Sequence, residues 1–223
     1  NTRAIILMKM IIIKIMKINY LKNPRDITQK SFSIIESETS LLSLPKEIQP
    51  VARRMIHTCG MPDIINHLSF TEGATKKGKS AIENGSPILV DVNMIVAGIN
   101  TSNLSKKNKI ICKINDPQVS KIAKQQCTTR SAAALELWKP ILNGAVVAIG
   151  NAPTALFRLL EIINSGIGKP SLIIATPPGF VGAKESKDLL IQNTLSIPYI
   201  VISGRMGGSA LAAATVNALA GDK

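Results

Sequence analysis

Five short apolar runs recur along the chain and carry almost no polar residues. Continuous runs of this length are typical of strands that are buried on both faces of a parallel sheet. The runs predict strands at Ile88–Ile95, Lys109–Ile114, Ala145–Ile149, Ser171–Thr176 and Ile197–Ile202.

Helical segments separate these strands and also precede them. Helices are predicted at Pro117–Gln126, Arg130–Trp138, Ala152–Asn164, Ala183–Gln192 and Gly207–Leu219, with earlier ones at Asp26–Glu38, Lys46–Cys59 and Gly73–Asn84. Alternating strands and helices indicate an α/β fold in which helices cover both faces of the sheet. The sequence therefore predicts a three-layer α/β/α sandwich with a mainly parallel five-stranded sheet and extra N-terminal helices.

Small and polar residues follow three of the predicted strands at their carboxyl ends. These turns are Gly150–Thr154, Pro177–Gly182 and Ser203–Ser209. Ligands of open parallel sheets bind at that edge, and glycine lets the backbone approach a ligand closely. Glycine can also serve only to shape a tight turn, but three such turns at one edge favour a pocket there.

The first residues follow a different pattern. The run Ala4–Met16 is apolar except for Lys9 and Lys14. It is too short and too charged for a membrane span, which needs about 20 apolar residues, and no small-residue cleavage site follows it. We interpret residues 1–15 as an N-terminal extension outside the core and residues 16–223 as a single domain.

The composition favours a folded protein of a reducing compartment. Hydrophobic residues make up 45% of the 223 positions, which is ample for a buried core. Three cysteines and two histidines, with no C-x-x-C pair, exclude a disulfide framework and disfavour a zinc site. We therefore expect a cytoplasmic protein with no bound metal and no membrane partner.

The charge balance points to an anionic partner. Lysine and arginine number 27 against 14 acids, which gives a net charge of +13. Nucleic acid is one such partner, but aromatic residues make up only 3% of the chain and form no run that could stack single-stranded bases. A small polycarboxylate or phosphate fits the charge equally well.

The common enzyme motifs are absent from the sequence. The segment Ser165–Pro170 resembles part of a phosphate loop, but Ile163 stands where that motif requires glycine. No G-x-G-x-x-G follows a predicted strand, no G-x-S-x-G is present, and His67 is interpreted as a structural residue in a loop. Nucleotide, metal and hydrolytic chemistry are therefore not indicated.

One helix carries a histidine and an arginine on its polar face. Within Lys46–Cys59 the apolar residues recur at helical spacing, and Gly60 provides a stop. At about 100° per residue, Arg54 and His57 lie about 60° apart and opposite the apolar stripe. The helix dipole favours a protonated imidazole there, whereas the adjacent arginines disfavour it. His57 is therefore a candidate proton donor and acceptor, with a merely solvent-exposed histidine as the alternative.

The segment Arg54–Met61, RMIHTCGM, resembles the helix that holds the catalytic histidine of the precorrin-8X methylmutases, which include the cobalt-precorrin-8 methylmutases. The resemblance covers about residues 18–220 and is carried by Ser86–Asp91, Thr129–Trp138, Val147–Phe157, Gly179–Lys187 and Gly204–Ala210. Segments of this length in this order are specific to the family.

The resemblance implies a flavodoxin-like fold, a homodimer and a role in corrin-ring biosynthesis. The family moves a methyl group from ring carbon 11 to ring carbon 12 of precorrin-8X or cobalt-precorrin-8, giving hydrogenobyrinate or cobyrinate. An isomerisation consumes no cofactor, so none is expected. The tetrapyrrole substrate is a polycarboxylate, which would account for the basic charge.

The resemblance also assigns roles to individual residues. His57 matches the family's proton donor and acceptor, Ser31 and Arg54 match substrate contacts, and Arg130 matches the arginine of the T-R-S motif. Ser31 would donate a hydrogen bond, and the two arginines would pair with substrate carboxylates.

The chain departs from the family pattern at several positions. Thr28 and Lys30 stand where the family usually has tyrosine and arginine, Asn100 begins a segment where Thr-Arg is usual, and Cys127-Thr128 replaces a common Gly-Asn. These departures affect individual carboxylate contacts and leave the four assigned residues intact.

Two alternatives to a methylmutase stay open at the level of sequence. The same basic pocket could hold a tetrapyrrole without converting it, and charge alone could bind nucleic acid. Conversion of authentic substrate would exclude a protein that only binds the tetrapyrrole. Binding to random DNA duplex that falls steeply with increasing salt would identify a nucleic-acid binder.

Overall fold

A computed structural model of the chain describes residues 18–105, 107–192 and 196–221. The predicted boundary after residue 15 lies outside these residues. The chain forms two compact units, one ending at Ile34 and the other beginning at Ile35. Helix α1 (Pro24–Glu38) begins in the first unit, where the Asn23 side chain accepts a hydrogen bond from the Arg25 backbone N–H at 2.9 Å and so caps the first turn.

The second unit contains a sheet for which the structure describes six strands. In chain order these are β1 (Leu68–Phe70), β2 (Ile88–Val90), β3 (Ile110–Cys112), β4 (Val146–Ile149), β5 (Leu172–Ala175) and β6 (Tyr199–Ile202). Their order across the sheet is β1-β6-β5-β4-β2-β3, with β1 antiparallel to β6 and all other pairs parallel. Counted alone, the five parallel strands run 2-1-3-4-5, which is the flavodoxin-like order.

Helices cover the two faces of this sheet. One layer contains α2 (Gln49–Cys59), α3 (Ala74–Glu83), α4 (Asn93–Gly98) and α9 (Ser209–Ala220), and the other contains α5 (Pro117–Gln125), α6 (Arg130–Ala134), α7 (Pro153–Asn164) and α8 (Ala183–Gln192). Short 3₁₀ helices lie at Leu41–Ser43, Pro62–His67, Thr101–Asn103 and Leu135–Ile141. The central strands β2, β4 and β5 are wholly buried between the layers, as their continuous apolar runs predict. The predicted three-layer α/β fold is confirmed.

Within the residues that the structure describes, the sheet has one strand more than the five predicted. Strand β1 has three half-buried residues and pairs with β6 from Leu68, opposite Ile202, to Phe70, opposite Ile200. A segment this short carries no periodicity of its own, and it becomes a strand because β6 offers it an unpaired edge. The residue before it, His67, ends a 3₁₀ helix and does not lie in an irregular loop.

The predicted strand Ile88–Ile95 was too long. Strand β2 ends at Val90, and helix α4 begins at Asn93. The run stays apolar because Ile95 of α4 is also buried, in the layer where α4 packs against α9. A continuous apolar run does not distinguish these two environments.

Helix α2 forms as its apolar spacing predicts. Val51, Ala52, Met55 and Ile56 are buried, and α2 packs against α9. The helix begins at Gln49, three residues later than predicted, with Pro50 in its first turn, where the missing N–H costs no hydrogen bond. It ends at Gly60, which adopts φ 66° and donates its N–H to the Ile56 carbonyl at 2.8 Å.

None of the helices in the described residues is both long and apolar enough to cross a bilayer.

Candidate active site

The carboxyl edge of the sheet is organised around a buried carboxylate, Asp91. This residue follows β2, and its oxygens accept hydrogen bonds from the backbone N–H groups of Gly150, Asn151 and Ala152 at 2.9–3.0 Å. Strands β2 and β4 flank the point where the strand order reverses, which is the ligand-binding position in open α/β sheets. Burial raises the pKa of the Asp91 carboxyl, and the three backbone hydrogen bonds oppose that rise.

The turns after β5 and β6 are held against each other. The Gly208 N–H donates to the Thr176 carbonyl at 2.6 Å, and the Thr176 hydroxyl donates to the Gly208 carbonyl at 3.0 Å. A Cβ on Gly207 would lie 2.1 Å from the Thr176 oxygen, so only glycine fits there. The Lys187 Nζ, on α8, donates to the Met206 carbonyl at 2.9 Å. Two of the three predicted glycine turns therefore form one rigid structure at the carboxyl edge.

Lys187 is an unusual residue at this edge because its side chain is fully buried. Its relative exposure is 0%, and burial lowers the pKa of its ammonium group to about 8. The contact with the Met206 carbonyl compensates part of the cost of burying a charge. Lys187 thus ties helix α8 to the turn after β6.

Helix α2 presents His57 and Arg54 as the sequence predicts. His57 is exposed in the last turn, and Arg54, one turn earlier, is half-buried. From Gly60 the chain passes through the 3₁₀ helix to His67, whose carbonyl accepts a hydrogen bond from the Ser203 N–H at 2.7 Å. Ser203 follows β6, so the His57 end of α2 is the end that leads to the carboxyl edge.

Arg130 lies in the opposite helix layer, at the start of α6. Its Nη2 donates to the Ile114 carbonyl at 2.8 Å and to the Asn115 Oδ1 at 3.4 Å. The preceding residue, Thr129, caps α6 and shares a 2.8 Å hydrogen bond with the hydroxyl of Thr154, in the first turn of α7. Arg130 is therefore at the carboxyl edge, while Arg54 and His57 are on the other layer. The guanidinium group has further N–H donors beyond Nη2 that suit a ligand carboxylate.

Ser31 belongs to the first unit. It is half-buried on helix α1, and its hydroxyl donates to the Ile27 carbonyl one turn earlier at 2.8 Å. A serine hydroxyl keeps acceptor lone pairs in this arrangement and can redirect its hydrogen to a ligand.

A large open groove lies at the other edge of the sheet. It has a volume of about 800 Å³ and is lined by residues that include Lys76, Lys77 and Lys169. Ser86, Gly144 and Pro198, at the amino ends of three strands, also line it. The groove therefore lies at the edge of the sheet opposite Asp91 and the turns after β5 and β6. Among the described residues, no three His, Cys, Asp or Glu side chains come together as a metal site would require.

Sequence reasoning missed the roles of Asp91 and Lys187. Asp91 is the acid directly after a continuous apolar strand, a position that could have marked it as a turn-organising carboxylate. Lys187 gave no such signal, because a lysine on an amphipathic helix is usually exposed. Its burial follows only from the packing of α8 against the turn after β6.

The fold defines a flavodoxin-like α/β protein, with a candidate site among the strand-end turns of its carboxyl edge. A profile of the family described as precorrin-8X methylmutase matches residues 26–221. The precorrin-8X methylmutase of Pseudomonas aeruginosa is 45% identical over 206 residues, covering 92% of this chain and 99% of that protein. The cobalt-precorrin-8 methylmutase of Leptospira interrogans is 39% identical and covers 87% of this chain and 92% of that protein.

Comparison with solved structures agrees. The precorrin-8X methylmutase of Thermus thermophilus superposes with a TM-score of 0.79 at 37% identity, covering 88% of this chain and 94% of that one. The chain belongs to the precorrin-8X methylmutase family. It is an isomerase of cobalamin biosynthesis that shifts a methyl group within its substrate.

Proposed function

We propose that this chain moves a methyl group from ring carbon 11 to ring carbon 12 of precorrin-8X or cobalt-precorrin-8, giving hydrogenobyrinate or cobyrinate. Relatives that match the chain carry both substrate names, so the cobalt ion, where present, belongs to the substrate. The observation that carries the proposal is the exposed His57 in the last turn of α2, one turn from Arg54, within the segment that resembles the family's catalytic helix.

His57 is the proton donor and acceptor of the proposed reaction. The methyl shift is a migration within one conjugated ring, so the protein's part is to hold one tautomer and to deliver a proton to the ring. An exposed imidazole at the end of a helix is accessible to a large ligand. The half-buried Arg54 on the same face suits a carboxylate on the ligand rim.

Arg130 and Ser31 complete the proposed substrate contacts. Arg130 is anchored at the carboxyl edge by its contacts with Ile114 and Asn115, which restricts its rotamers and lowers the entropy lost when it binds a carboxylate. In the complex, the Ser31 hydroxyl would donate its hydrogen bond to the substrate instead of to the Ile27 carbonyl.

The remaining parts of the proposal concern assembly, cofactors and location. We expect a homodimer, as in the family that the sequence resembles. We expect no cofactor, because an isomerisation balances its atoms and electrons within the substrate. A cytoplasmic location fits three cysteines that are free thiols in the structure.

Replacement of His57 tests the mechanism. We expect His57→Ala and His57→Asn to lower the rate of conversion of precorrin-8X by at least about 100-fold, because general acid–base catalysis contributes about 10² to 10⁴ in rate. Conversion is followed by the change in the absorption spectrum of the macrocycle. Thr58→Ala is the matched control, since Thr58 is the exposed neighbour of His57 and its hydroxyl donates to the backbone carbonyl of Arg54. A His57→Ala protein that converts substrate at the wild-type rate would refute the role of His57.

A further inference from the structure

The turns after β5 and β6 expose an aromatic ring beside a guanidinium group. Phe180 is 82% exposed and its neighbour Val181 is 89% exposed. The guanidinium carbon of Arg205 lies 5.2 Å from the centre of the Phe180 ring. This distance is within the range of a cation–π contact.

The backbone that carries this pair is fixed. The Gly179 N–H donates to the Arg205 carbonyl at 3.1 Å, which joins the residue before Phe180 to the residue that stacks on it. The hydrogen bonds between Thr176 and Gly208, and the contact of Lys187 with the Met206 carbonyl, hold the remainder of both turns. Phe180 is therefore exposed on a rigid structure and not at the tip of a free loop, which is typical of a binding position.

The position and chemistry of the pair indicate what covers it. The two turns stand at the carboxyl edge, where Arg130 also lies. An aromatic face suits a flat conjugated ring, and a guanidinium group suits a carboxylate on the rim of that ring. A polycarboxylate macrocycle offers both features at once.

We infer that Phe180 packs on the face of the tetrapyrrole ring and that Arg205 pairs with one of its peripheral carboxylates. This inference rests on the proposed function and adds two binding residues for which the resemblance gave no role. Both residues would bind substrate and product alike, because neither contact changes when the methyl group moves.

Binding of hydrogenobyrinate tests the inference. The full chain is titrated with this macrocycle, and the absorption spectrum reports occupancy. We expect Phe180→Ala to weaken binding by about 3- to 10-fold and to raise KM with little change in kcat, with Phe180→Trp restoring wild-type binding. Arg205→Gln is expected to weaken binding and to reduce its dependence on salt. Leu189→Ala, an exposed apolar residue on α8, is the control and should bind as the wild type does.

Each outcome has a separate meaning. Wild-type protein that binds neither hydrogenobyrinate nor cobyrinate, and converts neither precorrin-8X nor cobalt-precorrin-8, contradicts the proposed function. Wild-type protein that converts substrate while Phe180→Ala binds hydrogenobyrinate equally well overturns this inference alone. Light scattering on the same samples gives the size of the assembly. A smaller assembly for Phe180→Ala than for the wild type would show that a second copy of the chain covers the Phe180 ring. That result also overturns the inference.

Discussion

At the scale of single residues, Asp91 shows how one side chain can organise the centre of the site. Its relative exposure is 2%, and it accepts three backbone N–H groups at the start of the turn that leads into α7. This is the position at which a helix N-terminus in such folds can bind an external anion. Here the chain provides the anion itself, so the turn is fixed before any ligand arrives.

Replacement of Asp91 should therefore destabilise the fold. Asp91→Ala leaves three N–H groups without their acceptor, and we expect the free energy of unfolding to fall by at least about 3 kcal/mol. Asp91→Asn keeps one acceptor oxygen and should have an intermediate effect. Urea unfolding measures both, with the exposed acid Asp63 changed to alanine as the control. A loss below about 0.5 kcal/mol in Asp91→Ala, which is usual for surface changes, would contradict this account.

Cys127 illustrates what sequence could reveal about one residue. It replaces a glycine that is common in the family, and the structure gives it φ 48°, a left-handed conformation that glycine adopts without strain. The departure was visible in the sequence through the resemblance. The left-handed backbone angle of Cys127 was not visible in the sequence, because a backbone angle at a helix end depends on how the following turn packs.

At the scale of elements, the buried Lys187 links helix α8 to the turn after β6. Burial lowers the pKa of this lysine to about 8, while the amine of an unfolded chain keeps its proton to about pH 10. Between these values the unfolded chain binds more protons than the folded chain does. The contribution of Lys187 to stability therefore increases as the pH rises above 8.

Urea unfolding at pH 7 and at pH 9.5 tests this linkage. The difference in unfolding free energy between wild type and Lys187→Met should shift in favour of the wild type at the higher pH. The variant serves as the reference because all other titrating groups contribute equally to both proteins. A difference that is constant, or that shifts toward the variant, would show that the Lys187 ammonium is not destabilised by burial.

The elements that sequence predicted best are those whose pattern is determined locally. Helix α8 has the bounds that were predicted, and the polar face of α2 carries His57 and Arg54 as expected. Strand β1 and helix α4 were missed because both depend on neighbours that lie far away in the sequence. Strand β1 requires the edge of β6, and α4 requires the face of α9.

At the scale of the whole molecule, the sheet order brings together turns that are distant in the chain. The turns after β2 and β4 meet through Asp91, and those after β5 and β6 meet through Thr176 and Gly208. The sequence predicted that such turns share one edge, because all parallel strands end there. It could not predict which side chains bridge them, since each bridge joins residues about 30 to 60 positions apart.

The charge of the molecule is best understood together with its family. A net charge of +13 leaves nucleic acid and small polyanions open as partners. Membership of the methylmutase family favours a tetrapyrrole, and we propose Arg54 on α2 and Arg130 at the carboxyl edge as partners of its carboxylates. The large basic groove at the amino edge follows from the same excess of lysine and lies at the opposite edge of the sheet from Arg130.

The fate of a labelled methyl group tests the central claim most directly. Precorrin-8X carrying ¹³C in the methyl group on ring carbon 11 is incubated with the purified chain, and the product is examined by NMR. We expect the label on ring carbon 12 of hydrogenobyrinate, in full yield and with no added cofactor. Failure to convert both labelled precorrin-8X and its labelled cobalt form, or a product that has lost the label, would contradict the account.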